Sequence, residues 1–204
     1  EAWDHMSGAE SILAGSIKLK RELSLIAVRA LDASLKYYPL VENTHHEGIL
    51  RLTIAPAQNI PKSLQKKAEE YMHSLINEMD HVGVMTLELF DSSDDLIVNE
   101  IAPRVHNSGH WTIEGAQTSQ FENHIRAITN SPLGATSIKS SFNAMINIIG
   151  MHGQTSKVLE TKNAHLHLYD KEERKGRKLG HITLTSNSME ELNKSIDSLK
   201  EYLP

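Results

Sequence analysis

The sequence predicts an α+β fold, an antiparallel sheet with helices followed by a smaller β-rich unit. Three observations lead there. Short runs of apolar and β-branched residues recur through both halves of the chain. After residue 61 the apolar period changes to three and four, the mark of an amphipathic helix. "NSPLGATS", residues 130–137, then breaks the pattern with Pro, Gly and small polar residues, dividing 1–133 from 134–204.

In chain order, "RELSLIAVRAL" (21–31), "LKYYPLVENTHH" (35–46) and "GILRLTIAP" (48–56) are β-rich runs joined by short polar links, an antiparallel meander. Pro61 suits a helix first turn. Leu64, Ala68, Tyr71, Met72, Leu75, Ile76 and Met79 then share one helical face, ending near Asp80. "VGVMTLELF" (82–90) and "DLIVNEI" (95–101) form a hairpin around "DSSDD". "SQFENHIRAIT" (119–129) is a second helix. Beyond the break come strands in "NAMINIIGM" (143–151), "AHLHLYD" (164–170) and "LGHITLTS" (179–186). A last helix starts at Ser188, where Glu191 three residues on completes a capping box. At about 70 residues the second unit needs the first for stability.

Composition excludes several function classes. The chain has 204 residues, 39% hydrophobic and 23% charged, with a formal net charge of -5. That charge lacks the basic excess of a nucleic-acid partner. With no cysteine, disulfides and thiolate metal sites are impossible, and any metal takes O or N ligands. No apolar run reaches the length of a membrane span and the N-terminus lacks a signal pattern, so the expected location is the cytoplasm. The opening "EAWDHMSGAESILAGS" carries no periodicity.

The chemistry concentrates in the hairpin and in "NEIAPRVHNSGHW" (99–111) behind it. With the turn centred on Asp94, cross-strand partners have numbers summing to 188, which sets Glu88 opposite Glu100 on one face. Opposed like charges destabilise a sheet. Leu87, Leu89 and Ile101 suggest that this one is largely buried, where two carboxylates either raise one pKa or hold a cation. With oxygen ligands, magnesium or manganese is the natural choice, completing its shell with waters and substrate phosphates. The bland alternative is an edge hairpin with its polar face in water. Arg104 offers a planar fork for an anion, and His106, Asn107 and Ser108 add a titratable group and neutral donors in the same loop.

These residues resemble the end of an ATP-grasp domain, with one carboxylate on a strand, a second in "NE" on the next, and a "P-R" loop: Glu88, Asn99, Glu100, Pro103 and Arg104. "VNEIAPRVHNSGHWTIEGAQTSQFENHIRAITNSPLG" and "HLHLYDKEERKGRKLGHITL" are similar to the 5-(carboxyamino)imidazole ribonucleotide synthase family of purine biosynthesis, and the likeness runs from about Ser11 to the C-terminus. The resemblance implies an ATP-dependent ligase that phosphorylates bicarbonate to carboxyphosphate and passes its carboxyl to the amine of 5-aminoimidazole ribonucleotide. It implies that Glu88 and Glu100 hold magnesium on ATP phosphates beside Asn99. Arg104 and His106 address bicarbonate, and Asn107 and Ser108 touch the imidazole nucleotide. Lys171 and Arg177 grip its 5'-phosphate, with Arg174, Lys175 and Lys178 close by. A homodimer is the common assembly of such relatives. They also carry an N-terminal nucleotide-fold domain and the first half of the grasp, for which this sequence has no counterpart. Ala14, Gly15 and Ser16 stand where relatives have an acidic, aromatic stretch. The expectation is therefore a piece of the enzyme that folds without turning over alone.

Other features read as structure. Twelve histidines, among them His45–His46 and His165 with His167, suggest zinc, but no H-E-x-x-H or third ligand accompanies them. Trp111 caps the core beneath its loop, and Met72, Met79 and Met85 fill it. Neither a P-loop nor G-x-S-x-G is present. Two rivals remain: a ligase of the same superfamily acting on biotin or a glycinamide nucleotide, and a binding module that keeps the fold without catalysis.

Overall fold

A computed structural model describes residues 8–10, 15–92 and 95–203. Ala14, most of the aperiodic opening, and Ser93 and Asp94 at the centre of the expected turn lie outside those residues. Among the described residues nine strands join one antiparallel sheet. These are β1 (Leu19–Arg29), β2 (Leu35–Tyr37), β3 (Val41–His46), β4 (Ile49–Ala55), β5 (Gly83–Ser92), β6 (Leu96–Ala102), β7 (Phe142–Ile149), β8 (Ala164–Leu168) and β9 (Lys178–Ser186). Their spatial order is β6-β5-β1-β3-β4-β7-β9-β8, with β2 also on β1.

The expected run 35–46 divides in two. Pro39 has no N–H for a ladder, and the chain bends there while the Tyr38 N–H reaches the Ile26 carbonyl at 2.9 Å. β2 therefore pairs with the far end of β1, Arg29↔Leu35, and β3 with its near end, Glu22↔Asn43.

Helix α1 (Lys62–Glu78) lays Ala68, Met72 and Ile76 on Leu23, Leu25, Leu87 and Leu89 of the sheet. Met79 was expected on this face, but it is 51% exposed because the helix has ended at Glu78. The opposite face carries a second cluster around Ile26, Val28, Val84 and Met145. Trp111 is fully buried within it, edge-on to Tyr38 at 6.5 Å. Two helices that follow the polar loop, α2 (Thr112–Gly115) and α3 (Gln120–Ile128), cover this face. Ser119 caps α3, its hydroxyl accepting the Glu122 N–H at 3.1 Å. The short α2, and α4 (Thr155–Glu160) further on, are too brief to show a helical period.

Residues 130–137 are tied down along their length. The Gln117 and Thr118 N–H groups donate to Ser137 and Ala135 carbonyls at 2.8 and 3.1 Å, and Lys36 Nζ reaches the Leu133 carbonyl at 2.9 Å. The sheet continues across the 133/134 position through the β4–β7 ladder, Leu52↔Ile146 to Ala55↔Asn143. Asparagine side chains extend this seam at both ends. Asn143 donates to the Ala55 carbonyl at 3.2 Å and Asn147 to the Leu50 carbonyl at 2.9 Å. Asn147→Ala strips the buried Leu50 carbonyl of that donor. The expected loss is about 1–3 kcal/mol, read as a lower urea midpoint with an unchanged m-value.

β7 and β9 carry the third core cluster with the final helix α5 (Met189–Ser198), through Ile146, Ile182, Leu192 and Leu199. The capping box is relayed. Ser188 Oγ accepts the Glu191 N–H at 3.4 Å, and the Glu191 carboxylate takes the Ser186 hydroxyl at 3.1 Å. Ser186 Oγ in turn accepts the Ser188 N–H at 3.0 Å.

Candidate active site

Strand alternation places the carboxylates. Leu87 and Leu89 point into the α1 core, so Glu88 between them faces the other side of the sheet. Glu100 is its direct partner on β6. The register is built with a bulge: partners sum to 188 from Thr86↔Ala102 to Glu88↔Glu100, then to 187 from Leu89↔Val98 toward the turn. Asn99 is the extra residue. β6 is an edge strand, so the expectation of a largely buried hairpin is corrected. Val98, Asn99, Glu100 and Ile101 are exposed, and only the β5 side is enclosed. An edge strand has one neighbour, which leaves its side chains half the cover of an inner strand.

Glu88 and Glu100 line one cleft of about 290 Å³ with His106, Asn107, His45 and Lys178. His106 is 9% exposed at the start of a 3-10 turn, Asn107–Gly109. Its Nδ1 accepts from the Ser108 hydroxyl at 2.8 Å and from the Ser108 N–H at 3.3 Å. The proton consequently sits on Nε2, which donates to Glu88 Oε1 at 3.1 Å. That hydrogen bond holds the Glu88 carboxyl below the usual carboxylate range against the opposing effect of burial. His45 and Lys178 add positive potential. Partial burial pulls the Lys178 ammonium below the ordinary lysine range. Arg104 and Lys171 add to that pull by repulsion, and Glu88 opposes it. His45 itself is paired with Glu22.

Of the other expected site residues, Asn107 contributes an Nδ2 donor that is buried and has no hydrogen-bond partner among the described residues. Arg104 is exposed, with Nη1 on the Val105 carbonyl at 3.0 Å. Ser108 is fully buried behind His106 and holds its ring rather than facing the cleft. Lys171 is exposed beside Tyr169, Nζ 5.3 Å from the ring centroid. Arg177 lies on the approach to β9, its Nη1 3.5 Å from the Glu172 carbonyl. Lys178, next in sequence, supplies the cation of the cleft. The sequence offered it only as one member of a basic cluster.

A second group lies where α2 meets β8 and β9. His167 and His181 stack with centroids 4.3 Å apart, and His110 tilts against His181 at 4.8 Å. Glu114 Oε1 is 2.8 Å from His167 Nε2, and Tyr169 Oη is 2.7 Å from His181 Nδ1. Burial pushes His110 down to about 4 and His181 down to about 2. Among the described residues no three His, Cys, Asp or Glu side chains are placed to hold a metal. The pair Glu88 and Glu100 fits a cation that keeps waters and phosphate oxygens for the rest of its shell, and does not fit a closed protein cage.

Comparison with known proteins places the chain by sequence and by fold. The ATP-grasp domain family matches residues 1–121, and the phosphoribosylaminoimidazole carboxylase C-terminal domain matches residues 143–195. The N5-carboxyaminoimidazole ribonucleotide synthase of Pseudomonas aeruginosa is 46% identical over 183 residues, 90% of this chain and 50% of that protein. The crystal structure of N5-carboxyaminoimidazole ribonucleotide synthetase from Thermus thermophilus superposes with a TM-score of 0.94 at 48% identity. It covers 98% of this chain, which spans 56% of it. The Aspergillus clavatus N5-carboxyaminoimidazole synthase in complex with ADP and 5-aminoimidazole ribonucleotide gives 0.85 at 36% identity, over 92% of this chain and 52% of its own. The chain spans about half the length of the curated relatives it matches. No helix among the described residues is long and apolar enough to cross a membrane. By sequence match and by fold, the chain belongs to the ATP-grasp family, on the branch of the N5-carboxyaminoimidazole ribonucleotide synthases.

Proposed function

We propose that this chain carries the metal-phosphate and carboxyl-handling side of an ATP- and bicarbonate-dependent carboxylation of 5-aminoimidazole ribonucleotide. The observation that carries the reading is the convergence of Glu88, Glu100, His106, Asn107 and Lys178 on one cleft. A bicarbonate oxygen attacks the γ-phosphorus of ATP, forming carboxyphosphate and releasing ADP. The exocyclic amine then attacks the carboxyl carbon, phosphate leaves, and the amine loses a proton.

Glu88 and Glu100 would hold magnesium or manganese, which when bound neutralises charge on the transferred phosphoryl group. The protein's own groups do the rest. His106 is neutral at Nδ1 and presents an Nε2 proton, so it donates a hydrogen bond to the carboxyl oxygens once Glu88 turns to a cation. Asn107 Nδ2, which has no partner among the described residues, offers a second donor to the same oxygens or to the nucleotide. Arg104 and Lys178 supply positive potential where carboxylate and phosphate charges develop. Lys171 and Arg177 would bind the 5'-phosphate from the β8–β9 loop. Ser108 acts on the reaction through His106, and Asn99, at the bulge, keeps Glu100 in register with Glu88.

The test is ADP release by the complete gene product with ATP and magnesium, omitting one reactant at a time. Release that requires both bicarbonate and 5-aminoimidazole ribonucleotide is expected. Release indifferent to the ribonucleotide, or driven by biotin or a glycinamide nucleotide, would reject the assignment. Calorimetry on residues 1–204 is expected to show no micromolar ATP binding, since the chain spans about half the length of the curated relatives it matches.

A further inference from the structure

We infer that Gln120 is a positioning residue for His106, a role that rests on the reading of His106 as a group facing the reacting carboxyl. Gln120 is the first residue of α3, fully buried and 14 positions from His106 in sequence. Its side-chain amide binds both backbone groups of that one residue. Oε1 accepts the His106 N–H at 2.9 Å, and Nε2 donates to the His106 carbonyl at 2.6 Å. The side chain thus reproduces the paired bonds of a strand neighbour and holds His106 extended, at φ -125° and ψ 152°. The direction of the Cα–Cβ bond follows from those angles, and the imidazole follows from that bond.

The amide is locked in turn. The Gln120 N–H donates to Thr112 Oγ1 at 3.0 Å, and the Thr112 hydroxyl donates to the Gly109 carbonyl at 2.6 Å. Gly109 closes the other side: a Cβ there would lie 2.6 Å from the Gln120 amide carbon and 2.5 Å from Ile26 Cδ1. The loop that carries His106 therefore has its backbone fixed by the first residue of α3, and its ring fixed at Nδ1 by the buried Ser108. No other common side chain of this length serves. Glutamate cannot donate to the His106 carbonyl, and methionine or leucine leaves both backbone groups without partners in a buried place.

The prediction is read on residues 1–204 by the imidazole ¹⁵N shifts of His106, and on the complete gene product by turnover. In the parent protein the Nε2–H tautomer dominates near pH 7.5. Gln120→Met is expected to mix the two tautomers and to lower kcat/KM for bicarbonate about 100-fold, the scale of an ångström's misplacement, with KM for ATP within about twofold of the parent. Should Gln120→Met not fold, Thr112→Val, which frees the Gln120 N–H alone, is expected to move the same ¹⁵N shifts by a smaller amount. Thr112→Ser is expected to restore them. A folded Gln120→Met or Thr112→Val protein with parental His106 shifts overturns the inference. His106→Gln separates the two readings: parental turnover in that variant removes His106 from the chemistry, whereas the tautomer result stands on its own.

Discussion

Glu88→Gln is expected to lower ribonucleotide-dependent ADP release by about 100-fold or more, the usual effect of removing one group that stabilises developing charge. The substitution keeps the shape of the side chain and an oxygen for the His106 Nε2 proton at the 3.1 Å position, so folding should survive. What it removes is the negative charge that a divalent cation needs. Glu100→Gln tests the other half of the pair and should have a similar effect on turnover. Its effect on stability should be smaller, because Glu100 is exposed on an edge strand whereas Glu88 sits between buried leucines. Turnover near the parental value in either variant, with thermal melting unchanged, would remove that carboxylate from the cation site.

Acid should weaken the fold before its carboxylates protonate. His110 and His181 are neutral in the fold, held down to about 4 and about 2 by burial, and return to about 6.5 when the chain unfolds. Between those values the unfolded chain binds the extra protons. Stability is therefore complete above pH 6.5 and falls as the pH drops below it, by about 1.4 kcal/mol per unit for each group. The groups packed around them do not reverse this. Positive charge on His167, His106 or Lys178 repels the charged forms, and the Glu114 carboxylate is engaged with His167. Only the Asn107 carbonyl on His110 Nδ1, at 2.7 Å, works the other way. His124, lowered by burial where it accepts the Val84 N–H, adds in the same direction. Urea midpoints at pH 7.5, 6 and 5 should record a loss of about 4 kcal/mol at the last of these for the two deepest groups. His181→Phe keeps a ring against His167 and should remove about half of that slope. A flat profile in the parent, or an equal slope in the variant, would contradict the account.

Much of the architecture was legible because it depends on periods. Alternation marks β5 and β6, three-and-four spacing marks α1, and Ser188 with Glu191 marks the start of α5. The opposition of Glu88 and Glu100 was legible too, though the route was not. The turn side of the hairpin is one residue out of step, and the bulge at Asn99 restores the count, which alternation cannot show. The exposure of β6 stayed open between a buried hairpin, suggested by Leu87, Leu89 and Ile101, and an edge hairpin in water, because position in a sheet depends on strands far off in sequence. Ser108 shows a different limit. A serine in a polar loop has the same letter whether it meets a ligand or braces a histidine. Gln120 belongs to no motif, since what it recognises is peptide backbone.

The seam between β4 and β7 has a consequence for how the molecule can be divided. Severing the chain near residue 133 would leave each piece with a long bare flank of peptide groups and apolar side chains, the surface on which β-proteins stick to one another. Fragments made there should precipitate when expressed separately and recover solubility when produced together. The stretch that matches the ATP-grasp family and the stretch that matches the carboxylase C-terminal domain thus share one hydrogen-bonded ladder and depend on each other for solubility.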